Sequence, residues 1–354
     1  KGDRGILPSQ SGFLIGVQKT IGSKRPMVLP VTKYTKPTLY ASGLWDSNTV
    51  VPYFDSNPIQ DRILPDDGSK YPYLTISDFL TDTIVRMPYE IDKANFFDGN
   101  LNKPEGVSYL LPLKEIFFTF FSTDDLLNKV FADGKKMFEL LTNAAGVTAV
   151  LRIPVTSGYI EYRRTYFEEG VDATQTCNTN DGALLDKKFG LGIMPLVKFP
   201  DHVKKHYRLA MFDKGRNDIN LNFIDGEISD NAMKVTRKPK DLALNICSSE
   251  SFVVEKNFDR ILVSVGDITQ GYIIPNINDK SGKGVYTFAV DFGTTNTHIE
   301  YCTDSSPNPI AFNISVSEKQ LHKMHKTYAK DPDIYKGFVH DFIPDTVGEP
   351  DDIY

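Results

Sequence analysis

Residues 148–167 read TAVLRIPVTSGYIEYRRTYF. Two runs rich in β-branched and aromatic residues flank Thr156-Ser157-Gly158, a three-residue turn signal ending in glycine. The pattern predicts strands over 148–155 and 159–167, joined as a hairpin. Tyrosine and arginine recur along the second run, as they do at recognition surfaces. Aromatic pairing across neighbouring strands is the commoner reason for such a run in a sheet.

The same pattern repeats downstream. LGIMPLVKF (191–199), YRLAMF (207–212), INLNFI (219–224), DLALNI (241–246), SFVVEK (251–256) and RILVSV (260–265) are short apolar or alternating runs. Asp, Asn, Gly and Pro separate them. Pro195 lies inside the first run and implies an edge strand, because proline has no N–H to give a ladder. Upstream, residues 1–75 are rich in Pro, Gly, Tyr and Ser, and GFLIGV (12–17) and RPMVLPV (25–31) read as short strands in a loop-rich sheet.

The clearest helix is STDDLLNKVFADG (122–134). Ser122 or Thr123 can cap it, Asp124 and Asp125 suit the positive end of its dipole, and Gly134 can end it. Leu126, Leu127, Val130 and Phe131 then share one face. Many short strands without alternating helices imply a mainly β chain with some α (α+β). The expected N-terminal architecture is an antiparallel β-sandwich-like region over 1–283, divisible near 105–147. The polar stretch NINDKSGKGVY (276–286) is the expected boundary with a second region, 284–354.

Composition narrows the function classes. The 354 residues suffice for two domains with their own cores. With 46 acidic residues against 40 Lys and Arg, the chain carries a formal charge of -6 and repels a phosphate backbone. The cluster KKHYR (204–208) reads as solvated surface, so nucleic acid is not an expected partner. Cys177, Cys247 and Cys302 are widely spaced and form no metal or disulfide pattern, which suits a reducing, cytoplasmic compartment. The most apolar stretch, LLPLKEIFFTFF (110–121), is interrupted by Lys114 and Glu115, and a membrane span needs about 20 apolar residues. The chain starts at Lys1, which reads as a fragment boundary.

One segment carries specific chemistry. Residues 286–301 read YTFAVDFGTTNTHIEY, a strand that turns at Gly293 and returns as a second strand. A glycine there lets another group approach the backbone, and successive main-chain N–H groups can form an anion-binding nest. Thr294, Thr295 and Thr297 add hydroxyls, and Asp291 ends the first strand with a carboxylate suited to hydrated Mg2+. By composition alone these are also ordinary hairpin residues.

Their order resembles the first phosphate-binding motif of the actin-like ATPase superfamily, which includes actin, the seventy-kilodalton heat-shock chaperones and sugar kinases. That motif runs Asp-x-Gly-Thr-Thr-x-Ser/Thr between two strands. Asp291, Gly293, Thr294, Thr295 and Thr297 fill every constrained position. With Asn296, the match is nearest the heat-shock chaperone branch, whereas sugar kinases often carry Lys or Arg where this chain has His298. The resemblance covers roughly 286–317, with NPIAFNISVS (308–317) as a third strand of a ribonuclease-H-like subdomain. It implies that Gly293, Thr294, Thr295, Asn296 and Thr297 hold the phosphates of ATP, and that Asp291 binds Mg2+ through water.

The family's second phosphate motif and adenosine motif do not occur in the residues that follow. The chain therefore reads as the front part of a larger protein, an ATPase when intact and inactive as these 354 residues alone. Region 1–283 would be an accessory module that binds a protein partner or client. The alternative is a binding or scaffolding protein whose β-sandwich carries the function and whose hairpin is vestigial. A sugar-kinase-like phosphotransferase is a third reading.

Other motifs carry less. His202 and His206 have helix-face spacing but no H-E-x-x-H pattern, and read as solvated. His322 and His325 read as part of an exposed basic helix. DKSGKG (279–284) lacks a Walker frame, and Asp66-Asp67 and Asp351-Asp352 read as charged loops.

Overall fold

The computed structural model describes residues 51, 53–63, 73–155, 158–168, 181–213, 219–226, 228–230, 233–237, 249–266, 269–277, 285–293, 297–313 and 322–326. Within them the chain is mainly β with a few short helices. Helix α1 (Ile76–Phe79) precedes strands β1 (Thr83–Met87) and β2 (Ser108–Tyr109), followed by α2 (Glu115–Phe120) and α3 (Thr123–Asn128). Strands β3 (Phe138–Asn143), β4 (Gly146–Val155), β5 (Gly158–Phe167) and β6 (Gly182–Asp186) come next. Then follow β7 (Phe189–Met194), β8 (Tyr207–Asp213), β9 (Ile219–Asp225), β10 (Ile228–Asp230), β11 (Met233–Arg237), β12 (Ser249–Val254), β13 (Arg260–Val265) and β14 (Thr269–Ile273). The last are β15 (Tyr286–Phe292), β16 (Thr297–Thr303), β17 (Ser306–Ala311) and β18 (His322–Lys323).

The chain forms two compact units, each assembled from three separate stretches. The first takes Lys1–Lys188, Arg216–Asn231 and Phe258–Pro275; the second takes Phe189–Gly215, Ala232–Asn257 and Asn276–Tyr354. Four successive antiparallel pairs, β7–β8, β9–β10, β11–β12 and β13–β14, are assigned alternately to the second and the first unit. The expected boundary at 283/284 falls inside the last stretch of the second unit.

The first unit holds a six-stranded sheet ordered β2-β1-β6-β5-β4-β3 and a four-stranded sheet ordered β10-β9-β13-β14. The expected hairpin at 148–167 is present: β4 and β5 pair antiparallel from Gly146↔Phe167 to Val155↔Gly158. Alternation sends Val147, Ala149, Leu151 and Ile153 into the core, with Ile160, Tyr162 and Tyr166 opposite them. Phe79 of α1 meets Tyr162 edge-on at 5.0 Å, and Ile224, Tyr272 and Ile274 from the region of the four-stranded sheet join the same cluster. Arg164 shares this inward register and is buried; it donates to Leu80 O at 2.8 Å, Asp82 Oδ1 at 2.5 Å and Ser77 Oγ at 2.5 Å.

The six-stranded sheet corrects the expectation of a purely antiparallel region. β6 lies parallel to both β5 and β1. Such pairing requires a crossover connection longer than a hairpin turn, and no local sequence pattern announces it. The helix expected over 122–134 is also shorter. α3 begins as predicted, with Ser122 Oγ accepting from Asp125 N–H and the Asp125 carboxylate accepting from Ser122 N–H. It stops at Asn128, however, because Val130 pairs across to Lys136 and Met137 N–H donates to Lys129 O, which draws the chain toward β3. Gly134 has φ +82° in the turn between them, and Val130 is exposed rather than packed.

The second unit contains an antiparallel five-stranded sheet ordered β11-β12-β8-β7-β18. β7 is flanked on both sides, so the inference of an edge strand from Pro195 was wrong: the proline lies just past Met194 and ends the strand. His322 and His325 are not on an exposed helix. His322 pairs with Ile193 in β18, and His325 is buried two residues beyond Lys323. The runs at 12–17, 25–31 and 241–246 lie outside the described residues. No helix among the described residues is long and apolar enough to cross a membrane.

Candidate functional site

Residues 286–292 and 297–303 form the expected strand and return strand. β15 and β16 pair antiparallel from Tyr286↔Thr303 to Phe292↔Thr297, and β17 adds a third antiparallel strand. That third strand begins at Ser306, two residues before the expected 308, and ends at Ala311. The ladder is irregular between Tyr301 and Thr303; Ser306 N–H donates to Thr303 Oγ1 at 3.1 Å, and Phe312 N–H donates to Ile299 O at 2.8 Å.

Strand alternation sorts the side chains cleanly. Asp291 sits one residue before the end of β15, exposed, with Gly293 exposed immediately after the strand. Thr297 opens β16 and is exposed. Thr294, Thr295 and Asn296 lie outside the described residues. The structure therefore brings Asp291, Gly293 and Thr297 to one end of the hairpin.

Two further polar residues share the Asp291 side of the sheet. His298 is the ladder partner of Asp291, and Glu300 lies two residues beyond, where its Oε1 is 3.1 Å from His298 Nε2. The period-two alternation of THIEY carried the signal for this grouping. The His298 side chain is mostly exposed and that of Glu300 partly so; water screens the pair, which contributes little to stability.

The donor set has a definite chemistry. Mg2+ favours one or two carboxylates with retained waters and phosphate oxygens. Asp291 is an exposed carboxylate one residue before the end of β15. Among the described residues no cluster of three or more His, Cys, Asp or Glu side chains could hold a metal.

The other sequence candidates are placed as follows. His202 and His206 are exposed, as expected; Arg208 Nε lies 3.4 Å from His206 Nε2. Tyr162 and Tyr166 of the Tyr-rich hairpin are fully buried, so they pack the core and offer no recognition surface. Cys302 is a half-buried free thiol. Cys177, Cys247, Asp66-Asp67, Asp351-Asp352 and 279–284 lie outside the described residues.

Comparison of the chain with protein-family models, with curated proteins and with solved structures found no match. The functional reading rests on the hairpin.

Proposed function

We propose that this chain is the N-terminal part of an actin-like, heat-shock-chaperone-like ATPase. In this reading 286–311 is the first phosphate-binding element of a Mg-ATP-binding domain, and the β-rich region before it is an interaction module for a protein partner or client. The supporting observation is that Asp291, Gly293 and Thr297, three members of the Asp-x-Gly-Thr-Thr-x-Thr order, stand at one end of an exposed two-strand hairpin backed by a third antiparallel strand. Main-chain N–H groups at the glycine turn and the threonine hydroxyls would cradle phosphate oxygens. Asp291 would orient a hydrated Mg2+. A bound nucleotide would supply the phosphoryl group; main-chain N–H groups and hydroxyls at the hairpin would position it by hydrogen bonds, and the Mg2+ oriented by Asp291 would offset its charge.

The test is Mg-ATP binding by the intact protein, measured calorimetrically. Asp291→Ala and Thr294→Ala are each expected to weaken affinity by about tenfold or more, the scale of losing one charge-assisted contact. Unchanged affinity in both variants would overturn the role given to the loop.

A further inference from the structure

Strands β7–β10 and β11–β14 repeat one arrangement. The five-stranded sheet contains the order β11-β12-β8-β7, and the four-stranded sheet is ordered β10-β9-β13-β14. In each sheet the two sets meet through counterpart strands, β8 with β12 and β9 with β13, paired antiparallel. The connections correspond as well: 195–206 with 238–248, 214–218 with 255–259, and 226–227 with 266–268. Each short turn opens on a left-handed glycine, Gly226 at φ +59° and Gly266 at φ +60°. The outer strands are then counterparts too, β7 of β11 and β14 of β10. Two of these outer edges are taken by short extended segments from elsewhere in the chain. β18 lies along β7, with Met324 N–H donating to Leu191 O at 2.8 Å. Leu111 N–H donates to Tyr272 O of β14 at 3.0 Å, and Tyr272 N–H donates to Leu111 O at 2.9 Å. Among the described residues, β10 and β11 have a ladder partner on one side only.

We propose that the outer edge of β11 binds an extended acidic peptide, which adds to the sheet as a further strand in the way β18 adds to β7. Strand addition draws its affinity from main-chain hydrogen bonds, and five residues of β11 offer more of them than the three of β10. Charge selects the occupant. Lys234 and Arg237 lie in β11, Lys238 and Lys240 follow, and no acidic residue stands between Asn231 and Lys240. Basic residues on an edge repel a second copy of the same edge, which keeps such strands from pairing with themselves. They attract a strand that carries carboxylates. Salt screens charges beyond about 10 Å at 0.1 M, so this local cluster outweighs the net charge of -6 on the whole chain. The proposal rests on the reading of the β-rich region as an interaction module and is independent of phosphate binding by the hairpin.

Fluorescence anisotropy of the 354-residue protein, without nucleotide, tests it with a labelled peptide of alternating Glu and Val. Saturable binding is expected, and the matching Lys-Val peptide should bind about tenfold or more weakly. Lys234→Glu combined with Arg237→Glu should weaken the Glu-Val peptide by about tenfold or more and strengthen the Lys-Val peptide. N-methylation of the Glu-Val peptide at alternate residues keeps its charge but removes the N–H groups of one of its edges. Of the two possible alternations, one should bind the wild-type protein and the other should not, a result that does not depend on how any variant folds. No binding of the Glu-Val peptide, equal binding of the Glu-Val and Lys-Val peptides, indifference to the charge reversal, or equal binding of both methylated forms would each overturn the proposal.

Discussion

Two tyrosines on β5 show how one local pattern can have different energetic consequences. Tyr162 and Tyr166 are both fully buried, and burial pushes both hydroxyls well above the usual phenol range. Tyr166 donates to Thr81 O at 2.8 Å, whereas the Tyr162 hydroxyl has no hydrogen-bond partner among the described residues. Burying an unpaired hydroxyl costs free energy, while a made hydrogen bond contributes about 1 kcal/mol net. Tyr166→Phe should therefore lower unfolding free energy by roughly 0.5–1.5 kcal/mol in urea titrations, and Tyr162→Phe should leave it unchanged or raise it. Equal losses in both variants would show that the Tyr162 hydroxyl is satisfied. The sequence marks both tyrosines as strand residues, but it does not distinguish them, because the carbonyl that separates their roles lies 85 residues from Tyr166.

Among the strands, β6 does what no local pattern announced. It inserts between β1 and β5 in parallel register, with Gly182 opposite Tyr166. A Cβ on Gly182 would stand 2.7 Å from Asp82 O and 2.5 Å from the Tyr166 ring, closer than real contacts allow. The glycine therefore sets how closely three strands approach. Gly182→Ala should destabilise by about 1–3 kcal/mol through overpacking, with amide exchange accelerating first along β6. Protection along β6 equal to that of the wild type would show that the neighbours yield without cost. Strand existence at 148–167, 207–212, 219–224 and 260–265 was readable in the residue order; the parallel neighbours of β6 were not. Alternation specifies which face a residue takes, whereas pairing depends on partners distant in sequence.

Across the molecule, the chain passes repeatedly between two units. Ile224, Tyr272 and Ile274 complete a core whose other members come from residues before 188. A protein ending at Lys188 lacks them, and should show no cooperative thermal transition. One ending at Pro275 keeps every stretch of the first unit and should retain a transition. A cooperative transition in the shorter protein would mean that the core closes without the four-stranded sheet. Strand positions, the capped start of α3, and the grouping of Asp291, Gly293 and Thr297 at the end of one hairpin all follow from order along the chain. Local propensity, capping and period-two alternation act between near neighbours. Three features required tertiary structure: the mixed sheet, the interleaved units and the buried setting of His325. Each depends on which distant strands meet, and that is settled by packing and burial between segments far apart in the sequence.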